Sequence, residues 1–164
     1  MKRHPALIPL SRDHHDGLVQ AVRLRRAAAD GDASARLAAA SEFVEYFRND
    51  ERVHLRIEEE QLFPLILRHV ESQPAPLREA RVQHVQLEGF ARKLEIAVVS
   101  GIVDRETLDA AGELFDAHIR LEERQLFPLI EQLVPDDELQ RLGLAGRDVT
   151  CVVGRPAPRA KGLM

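Results

Sequence analysis

The sequence predicts an all-α protein that folds as an up-down-up-down four-helix bundle, followed by a short C-terminal helix and a loose tail. The composition is 45% hydrophobic and 30% charged, with only nine glycines and nine prolines, which is typical of a soluble helical protein. Apolar residues recur every three or four positions over long segments, as in amphipathic helices. Short connections between long helices favour an antiparallel bundle.

One domain is expected, because 164 residues are enough for a single core and too few for two. The helical pattern predicts a domain at residues 1–145. The stretch 146–164 has no periodicity and is expected to be a flexible tail.

The first two helices are bounded by capping residues. Ser11 is the expected N-cap of the first helix, over about residues 11–30, which Gly31 ends. The second helix is expected to run from near Ala33 to about residue 70. Pro64 should kink it or loosen its last turns, since proline removes a backbone donor.

The last two helices are bounded in the same way. Pro76 suits the first turn of the third helix, which Gly101 stops. Asp104 is the expected N-cap of the fourth helix, which halts near Pro135. The acidic start of residues 136–142 predicts a final turn or two.

A repeated segment carries the main functional signal. HLRIEEEQLFPLI at residues 54–66 returns as HIRLEERQLFPLI at residues 118–130. Packing alone would preserve the apolar pattern without preserving His and Glu. The first two helices are therefore interpreted as a hairpin, and the last two as its repeat.

Helical geometry turns the repeated His and Glu toward the core. Positions i and i+4 lie on the same face of a helix. The two HxxxE pairs, His54 with Glu58 and His118 with Glu122, lie on the same faces as the apolar stripes of their helices. His84 lies within the apolar stripe of the third helix, with Glu88 at its edge. On the first helix, the direction of Leu18, Val19 and Val22 favours His15 over His14. The possible ligands are therefore His15, His54, Glu58, His84, His118 and Glu122, with His14 and Glu88 as alternatives.

A metal is the simplest way to neutralise these groups. Isolated buried charges cost several kcal/mol, and imidazole with carboxylate suits iron, manganese or zinc, with bridging carboxylates favouring two ions. One inward histidine alone would more often be a hydrogen-bonded core residue. Other polar and aromatic side chains are interpreted as a solvated face (Glu59, Glu60, Glu123, Arg124), as surface residues (His4, His69) or as core (the Leu and Phe stripes).

The remaining features limit location and partners. A formal charge of −4 disfavours nucleic acid and anionic membranes as partners. The single cysteine, Cys151, cannot form an internal disulfide, and the N-terminus has no signal-peptide pattern, so a cytoplasmic location is expected. The one tyrosine, Tyr46, is expected to point away from the ligand face.

The motifs resemble those of hemerythrin-like proteins of the HHE cation-binding type. The resemblance rests on RDHH, HLRIEEEQLFP, QHVQLE and HIRLEERQLFP and covers about residues 8–133. It implies a non-haem di-iron centre with two iron ions, in which Glu58 and Glu122 bridge. It also implies that the histidine ligands are His15 (or His14), His54, His84 and His118.

The resemblance implies binding or sensing of oxygen, nitric oxide or peroxide. Oxygen-carrying hemerythrins have a second histidine where this chain has Glu88, and their last carboxylate comes five residues after its histidine, whereas Glu122 comes four after His118. These differences argue against reversible oxygen carriage. The alternatives are a di-iron redox enzyme acting on peroxide or iron, or an iron donor for iron-centre repair; the identity of any protein partner stays open.

Overall fold

The computed structural model describes residues 3–142 of the chain. Within this range the regular secondary structure is entirely helical, which confirms the prediction of an all-α protein. Cys151 and the predicted tail lie outside the described residues, so the domain boundary near residue 145 stays a prediction.

The first helix spans Ile8–Asp30 and begins earlier than predicted. Leu7 rather than Ser11 occupies the N-cap position, without a side-chain hydrogen bond. Pro9 lies in the first turn, where a missing N–H leaves no helical bond unmade. The helix ends at the predicted Gly31.

The second helix runs over residues 33–67 and contains two wide π turns. In chain order its segments are Ala33–Tyr46, a π turn at Phe47–Glu51, Arg52–Ile57, a π turn at Glu58–Leu62, and Phe63–Leu67. Asp32 caps its start by accepting a hydrogen bond of 2.8 Å from the N–H of Ala35. The second π turn lies immediately before Pro64, so the helix continues past this proline through a widened turn.

The third helix spans Ala75–Ser100, and Pro76 lies in its first turn as predicted. Gly101 ends it with φ of 73°, a left-handed conformation that favours glycine. The fourth helix covers residues 105–133, and its segments are Arg105–Leu121, a π turn at Glu122–Leu126, and Phe127–Leu133. Asp104 caps it by accepting a 2.7 Å hydrogen bond from the N–H of Thr107. A final helical segment occupies residues 136–142, as predicted.

The first and third helices each pack against both the second and the fourth. Two glycines allow the first and fourth helices to approach closely. A Cβ atom at Gly17 would lie 2.8 Å from the side chain of Ile119, and one at Gly112 would lie 2.8 Å from the carbonyl oxygen of Ala21. Larger residues at either position would force these helices apart.

Two apolar clusters fill the interior. One contains Leu24, Phe43, Phe47, Leu87, Leu94, Leu108 and Phe115, among others. The other contains Leu7, Leu62, Phe63, Leu77, Leu126, Phe127 and Ile130, among others. Along each long helix the predicted ligands lie between the residues of one cluster and those of the other, so the polar layer is enclosed by apolar packing on both sides. Among residues 3–142, no helix combines the length and apolar character that crossing a bilayer requires.

Candidate metal centre

Six ionisable side chains from four helices form one buried layer. None is more than 5% exposed, and Glu58, His118 and Glu122 are completely buried. The members are His14, His54, Glu58, His84, His118 and Glu122. Their candidate ligand atoms fall into two groups that share both glutamates.

The first group consists of His14, His54, Glu58 and Glu122, with ligand atoms within 4.8 Å of one another. The Nε2 atom of His14 lies 3.0 Å from Oε2 of Glu122. The Nε2 atom of His54 lies 3.2 Å from Oε1 of Glu58. The two Nε2 atoms are only 3.1 Å apart, so this group converges on a space suited to one ion.

The second group consists of His84, His118, Glu58 and Glu122, also within 4.8 Å of one another. The Nε2 atom of His84 lies 3.4 Å from Oε2 of Glu58 and 3.7 Å from Oε1 of Glu122. The Nε2 atom of His118 lies 3.6 Å from Oε2 of Glu122. Each glutamate therefore contacts a histidine of both groups, and because they link the two groups we call Glu58 and Glu122 the bridging glutamates.

The inward atoms are close to one another but poorly aligned for hydrogen bonding. Both carboxylate oxygens of Glu58 and of Glu122 are fully buried without a hydrogen-bond partner, as are Nε2 of His84 and of His118. Buried polar atoms are normally satisfied. Imidazole nitrogens and carboxylate oxygens that converge without hydrogen-bond partners are a suitable ligand set for a pair of divalent or trivalent ions.

The preference for His15 was wrong about which side chain points inward. His14 is buried in the ligand layer, whereas His15 is exposed. The error came from Val19 and Val22, which are 40% and 45% exposed rather than core residues. Half of the residues that this helix buries are small, namely Gly17, Ala21 and Ala28, and the fourth helix packs closely against it at Gly17 and Ala21.

The outward nitrogens of two histidines are held by glutamates that directly follow the bridging ones. Nδ1 of His84 lies 3.0 Å from Oε1 of Glu59, and Nδ1 of His14 lies 2.7 Å from Oε1 of Glu123. Such bonds fix the imidazole so that Nε2 faces the metal. The assignment of Glu59 and Glu123 to a solvated face is therefore wrong. Both are half-buried, and the second Glu of the repeated motif was the signal for them.

The other two histidines are held by the residues that precede His14 and His84. Nδ1 of His54 lies 3.4 Å from Oδ2 of Asp13, and Nδ1 of His118 lies 3.2 Å from Oε1 of Gln83. All four imidazoles thus use Nδ1 outward and Nε2 inward. Sequence reasoning missed both partners, which only three-dimensional packing brings to the site.

The repeated phenylalanines also belong to the site. Phe63 stacks on His84 with ring centroids 5.4 Å apart, and Phe127 stacks on His14 at 5.2 Å. Both are fully buried. The motif HxxxEExxxFP therefore supplies, in order, an inward histidine, a bridging carboxylate, an acceptor for a neighbouring histidine and an aromatic wall.

Both bridging glutamates open a π turn. The N–H of Phe63 donates to the carbonyl oxygen of Glu58, and that of Phe127 donates to Glu122. Short π turns inside helices are frequent at functional sites. In both helices the π turn separates the HxxxE pair from the proline that follows it.

A buried carboxylate outside the predicted set lies one turn before His54. Glu51 is only 3% exposed, and its Oε2 accepts a 2.9 Å hydrogen bond from the hydroxyl of Tyr46. Its Oε1 is buried without a partner. Burial and the nearby charge of Glu51 raise the pKa of Tyr46, and burial raises the pKa of Glu51 itself. Tyr46 is therefore linked to a buried acid beside the ligand layer.

The glutamates hold three histidines in their charged form. Burial lowers the pKa of His14, but the close carboxylate of Glu122 and the hydrogen bond to Glu123 outweigh this and raise it to about 9. The close carboxylates of Glu122 and Glu58 likewise outweigh burial and raise the pKa of His84 to about 10. Against the same burial, the charge of Glu58 and the bond to Asp13 raise the pKa of His54.

His118 differs from the other three. Burial lowers its pKa to about 4, despite the attraction of Glu122. For Glu58 and Glu122, burial acts to raise the pKa, but the neighbouring imidazoles outweigh it and keep both carboxylates ionised. A metal ion bound at the first group would therefore displace protons from two imidazoles, and one bound at the second group would displace a proton from one.

The remaining predicted residues lie outside the ligand layer. Glu88 pairs with Arg52 at 3.3 Å on the surface and does not reach the site. His4 lies 2.9 Å from Asp136 and His69 lies 3.2 Å from Glu138. Both histidines are half-buried, and they connect the segment 136–142 to the rest of the bundle.

The family comparison agrees with this geometry. A family model for the hemerythrin HHE cation binding domain matches residues 6–130. No curated protein and no solved structure gives a significant match. The matched range contains all six buried residues of the ligand layer, and it covers most of the chain. The protein therefore belongs to the hemerythrin HHE cation-binding domain family.

Proposed function

We propose that this protein is a non-haem di-iron protein that binds or senses oxygen, nitric oxide or peroxide. The observation that carries the proposal is the pair of four-residue ligand groups that share Glu58 and Glu122 in one buried layer. In this layer His14 and His54 would hold one iron, His84 and His118 would hold the other, and both glutamates would be available to each ion. Manganese and zinc suit the same donors, so metal identity is part of the test.

The burial of the site supports a small ligand. Every proposed protein ligand is at most 5% exposed, which favours a diatomic molecule or a peroxide over a bulky substrate. Iron supplies the redox chemistry when bound. The chain holds the histidines in one orientation through Glu59, Glu123, Asp13 and Gln83.

The bundle is proposed to have up-down-up-down topology. Successive helices are joined by the short connections 31–32, 68–74 and 101–104, which favour antiparallel neighbours. The packing of the first and third helices against both of the others fits this order. The single cysteine fits the reducing cytoplasm that we propose as the location.

The experiment is metal analysis combined with visible absorption spectroscopy on protein reduced without air. About two irons per chain, and a spectrum that changes on adding oxygen, nitric oxide or peroxide, are expected. A His14→Ala variant should lose iron, and the adjacent His15→Ala variant should retain it. Protein that takes up no iron, or iron that responds to none of the three ligands, would contradict the proposal.

A redox enzyme is the second candidate, and the Tyr46–Glu51 pair favours it. Peroxide reduction needs a proton donor near the bound ligand, and the hydroxyl of Tyr46 is bonded to the buried carboxylate of Glu51. A Tyr46→Phe variant should then slow peroxide turnover while retaining iron. Unchanged turnover in this variant would show that Tyr46 is not the proton donor, and a wild type without turnover would leave binding or sensing as the supported function.

A further inference from the structure

A row of apolar side chains lies on the outer face of the third helix. Val82 is 57% exposed, Val85 72%, Ile96 71% and Val99 86%. The core side of the same helix carries its buried residues, including Leu87. Outer faces of amphipathic helices are normally polar, and grouped exposed apolar residues mark interaction sites.

The spacing of this row is that of a coiled-coil seam. Positions 82, 85, 89, 92, 96 and 99 are separated alternately by three and four residues, as are the a and d positions of a heptad. We call Val82, Val85, Gly89, Arg92, Ile96 and Val99 the outer seam. A seam of this period is suited to packing against another helix.

We propose that the outer seam is where a second copy of this chain docks, through an antiparallel helix pair about a two-fold axis. The proposal concerns a surface away from the ligand layer and does not depend on the proposed function. Such an axis would give an isologous contact, in which the same patch of both copies is buried.

The sequence of the seam is complementary to itself when reversed. With the axis between positions 90 and 91, Val82 faces Val99 of the partner subunit. Val85 then faces Ile96 of the partner subunit, and the mirrored contacts form on the other side of the axis. Four apolar side chains would pack together at each end of the contact.

Gly89 at the centre supports this pairing. Glycine inside a helix costs about 1 kcal/mol relative to alanine, yet a Cβ atom at Gly89 would meet nothing within 4 Å in its own chain. The fold of one copy therefore gives no reason for glycine here. In the antiparallel pair, this position faces Arg92 of the partner subunit, whose long side chain needs the space.

The charges beside the seam are compatible with the same pairing. Glu88 adjoins Gly89, so its carboxylate would lie close to Arg92 of the partner subunit. Glu95 is on the same flank, and Glu88 and Glu95 are already paired with Arg52 and Arg48 of the second helix. These pairs reduce the repulsion that two like-charged flanks would otherwise produce.

The first test measures the mass of the full-length protein in solution by sedimentation equilibrium, at concentrations up to about 0.5 mM. High concentrations are needed because a contact between two single helices is small and is expected to be weak. The wild type should approach twice 18.5 kDa with rising concentration. Val85→Lys should weaken association at least tenfold. Val22→Lys, at an exposed valine of the first helix, should leave it unchanged. A monomeric wild type, or a dimer that Val85→Lys does not weaken, would overturn the proposal.

Two further measurements test the antiparallel register. Adding Ile96→Glu to Val85→Lys should restore association, because the introduced charges face each other across the axis. In a Cys151→Ser background, Val85→Cys combined with Ile96→Cys should give a disulfide-linked dimer on oxidation, and Val85→Cys alone should not. Rapid cross-linking of the single variant would show a parallel pair and overturn the register. Metal content and helicity, measured for every variant, identify any that fail to fold.

Discussion

The two halves of the metal centre have the same geometry but different surroundings. In each half, two imidazoles point Nε2 inward toward Glu58 and Glu122. Behind His54, however, lies the carboxylate of Asp13, whereas behind His118 lies the neutral amide of Gln83. The second copy of the motif also has Phe115 where the first has the buried Glu51.

The comparison indicates that the repeated motif determines where the ligand side chains lie. The residues next to the outward side of these ligands determine the charge around them. The first half adds two carboxylates to the environment of its histidines, and the second half adds none in these positions. Against its burial, the charge of Glu58 raises the pKa of His54, with further contributions from Asp13 and Glu51, whereas burial lowers the pKa of His118 to about 4. In the proposed di-iron centre, two equal sets of ligands would therefore make two unequal metal positions, and the first would suit the more highly charged ion better.

The largest effects are expected from removing one histidine in each half. His54→Ala and His118→Ala should each lose bound metal, measured by elemental analysis, while the exposed His15→Ala retains it. In the metal-free protein, His54→Ala should cost about 3–5 kcal/mol in the free energy of unfolding, because it leaves a buried carboxylate without its charged partner. His118→Ala should cost less, since this imidazole is already neutral. Equal losses in denaturant titrations would contradict the asymmetry.

Removing the acceptors behind His84 and His14 should have the next largest effect. Glu59→Gln and Glu123→Gln are each expected to weaken metal binding about 10–100-fold, because the amide that replaces the carboxylate accepts a weaker hydrogen bond and leaves the imidazole a less basic ligand. The exposed Glu60→Gln is the matched control. Competition with a chelator measures the affinities, and an unchanged affinity in both variants would assign Glu59 and Glu123 to the surface after all.

The stability of the metal-free protein should fall at alkaline pH. The folded-state pKa values of His14 and His84, about 9 and about 10, lie above the unfolded value of about 6.5. Their contribution is therefore complete below about pH 6.5 and lost as the pH rises through 9 to 10. Urea titrations between pH 6 and 10 test this, and His14→Gln should flatten the decline. Stability that stays level in the wild type would argue against charged imidazoles.

The His118 imidazole should act in the opposite pH range. Because its folded-state pKa of about 4 lies below the unfolded value, its contribution is present above about pH 6.5 and lost as the pH falls toward 4. Urea titrations at pH 4 to 7, comparing His118→Gln with the wild type, should show a shallower acid decline in the variant. A steeper decline would show that His118 is charged in the folded protein.

The smallest effect should come from exchanging the residues behind His54 and His118. Asp13→Asn makes the first half resemble the second, and Gln83→Glu does the reverse. Each should change metal affinity by about tenfold or less, with opposite signs, since Asp13 is half-exposed and its bond is long at 3.4 Å. The reduction potential should rise in Asp13→Asn and fall in Gln83→Glu, as measured by redox titration. Shifts of the same sign would show that charge does not distinguish the halves.

The sequence predicted most of the fold because its signals are local. Asp32 and Asp104 each accept the capping hydrogen bond at a helix start, and Gly101 adopts the left-handed conformation that ends a helix. The HxxxE spacing likewise specifies one face of one helix. The structure brings His54, Glu58, His84, His118 and Glu122 into the same layer.

What the sequence did not reveal depends on contacts between helices. His14 and His15 are adjacent in the first helix, and the choice between them as ligand depended on valines that prove to be exposed. Gln83 and Asp13 bond to histidines on neighbouring helices, so no pattern within their own helix marks them. Glu59 and Glu123 were detectable in principle, because the repeat preserves them beside the bridging glutamates.

The π turns at Glu58–Leu62 and Glu122–Leu126 make the second and fourth helices locally less stable at their bridging carboxylates. A widened turn followed by a proline has fewer good backbone hydrogen bonds than regular helix, so its amides should exchange with deuterium sooner than those on either side. In the proposed centre, bound metal would tie the glutamate at the start of each turn to the other three helices. Amide exchange at both turns should therefore slow together when metal binds. Hydrogen exchange would then report metal binding even for an ion that has no visible absorption.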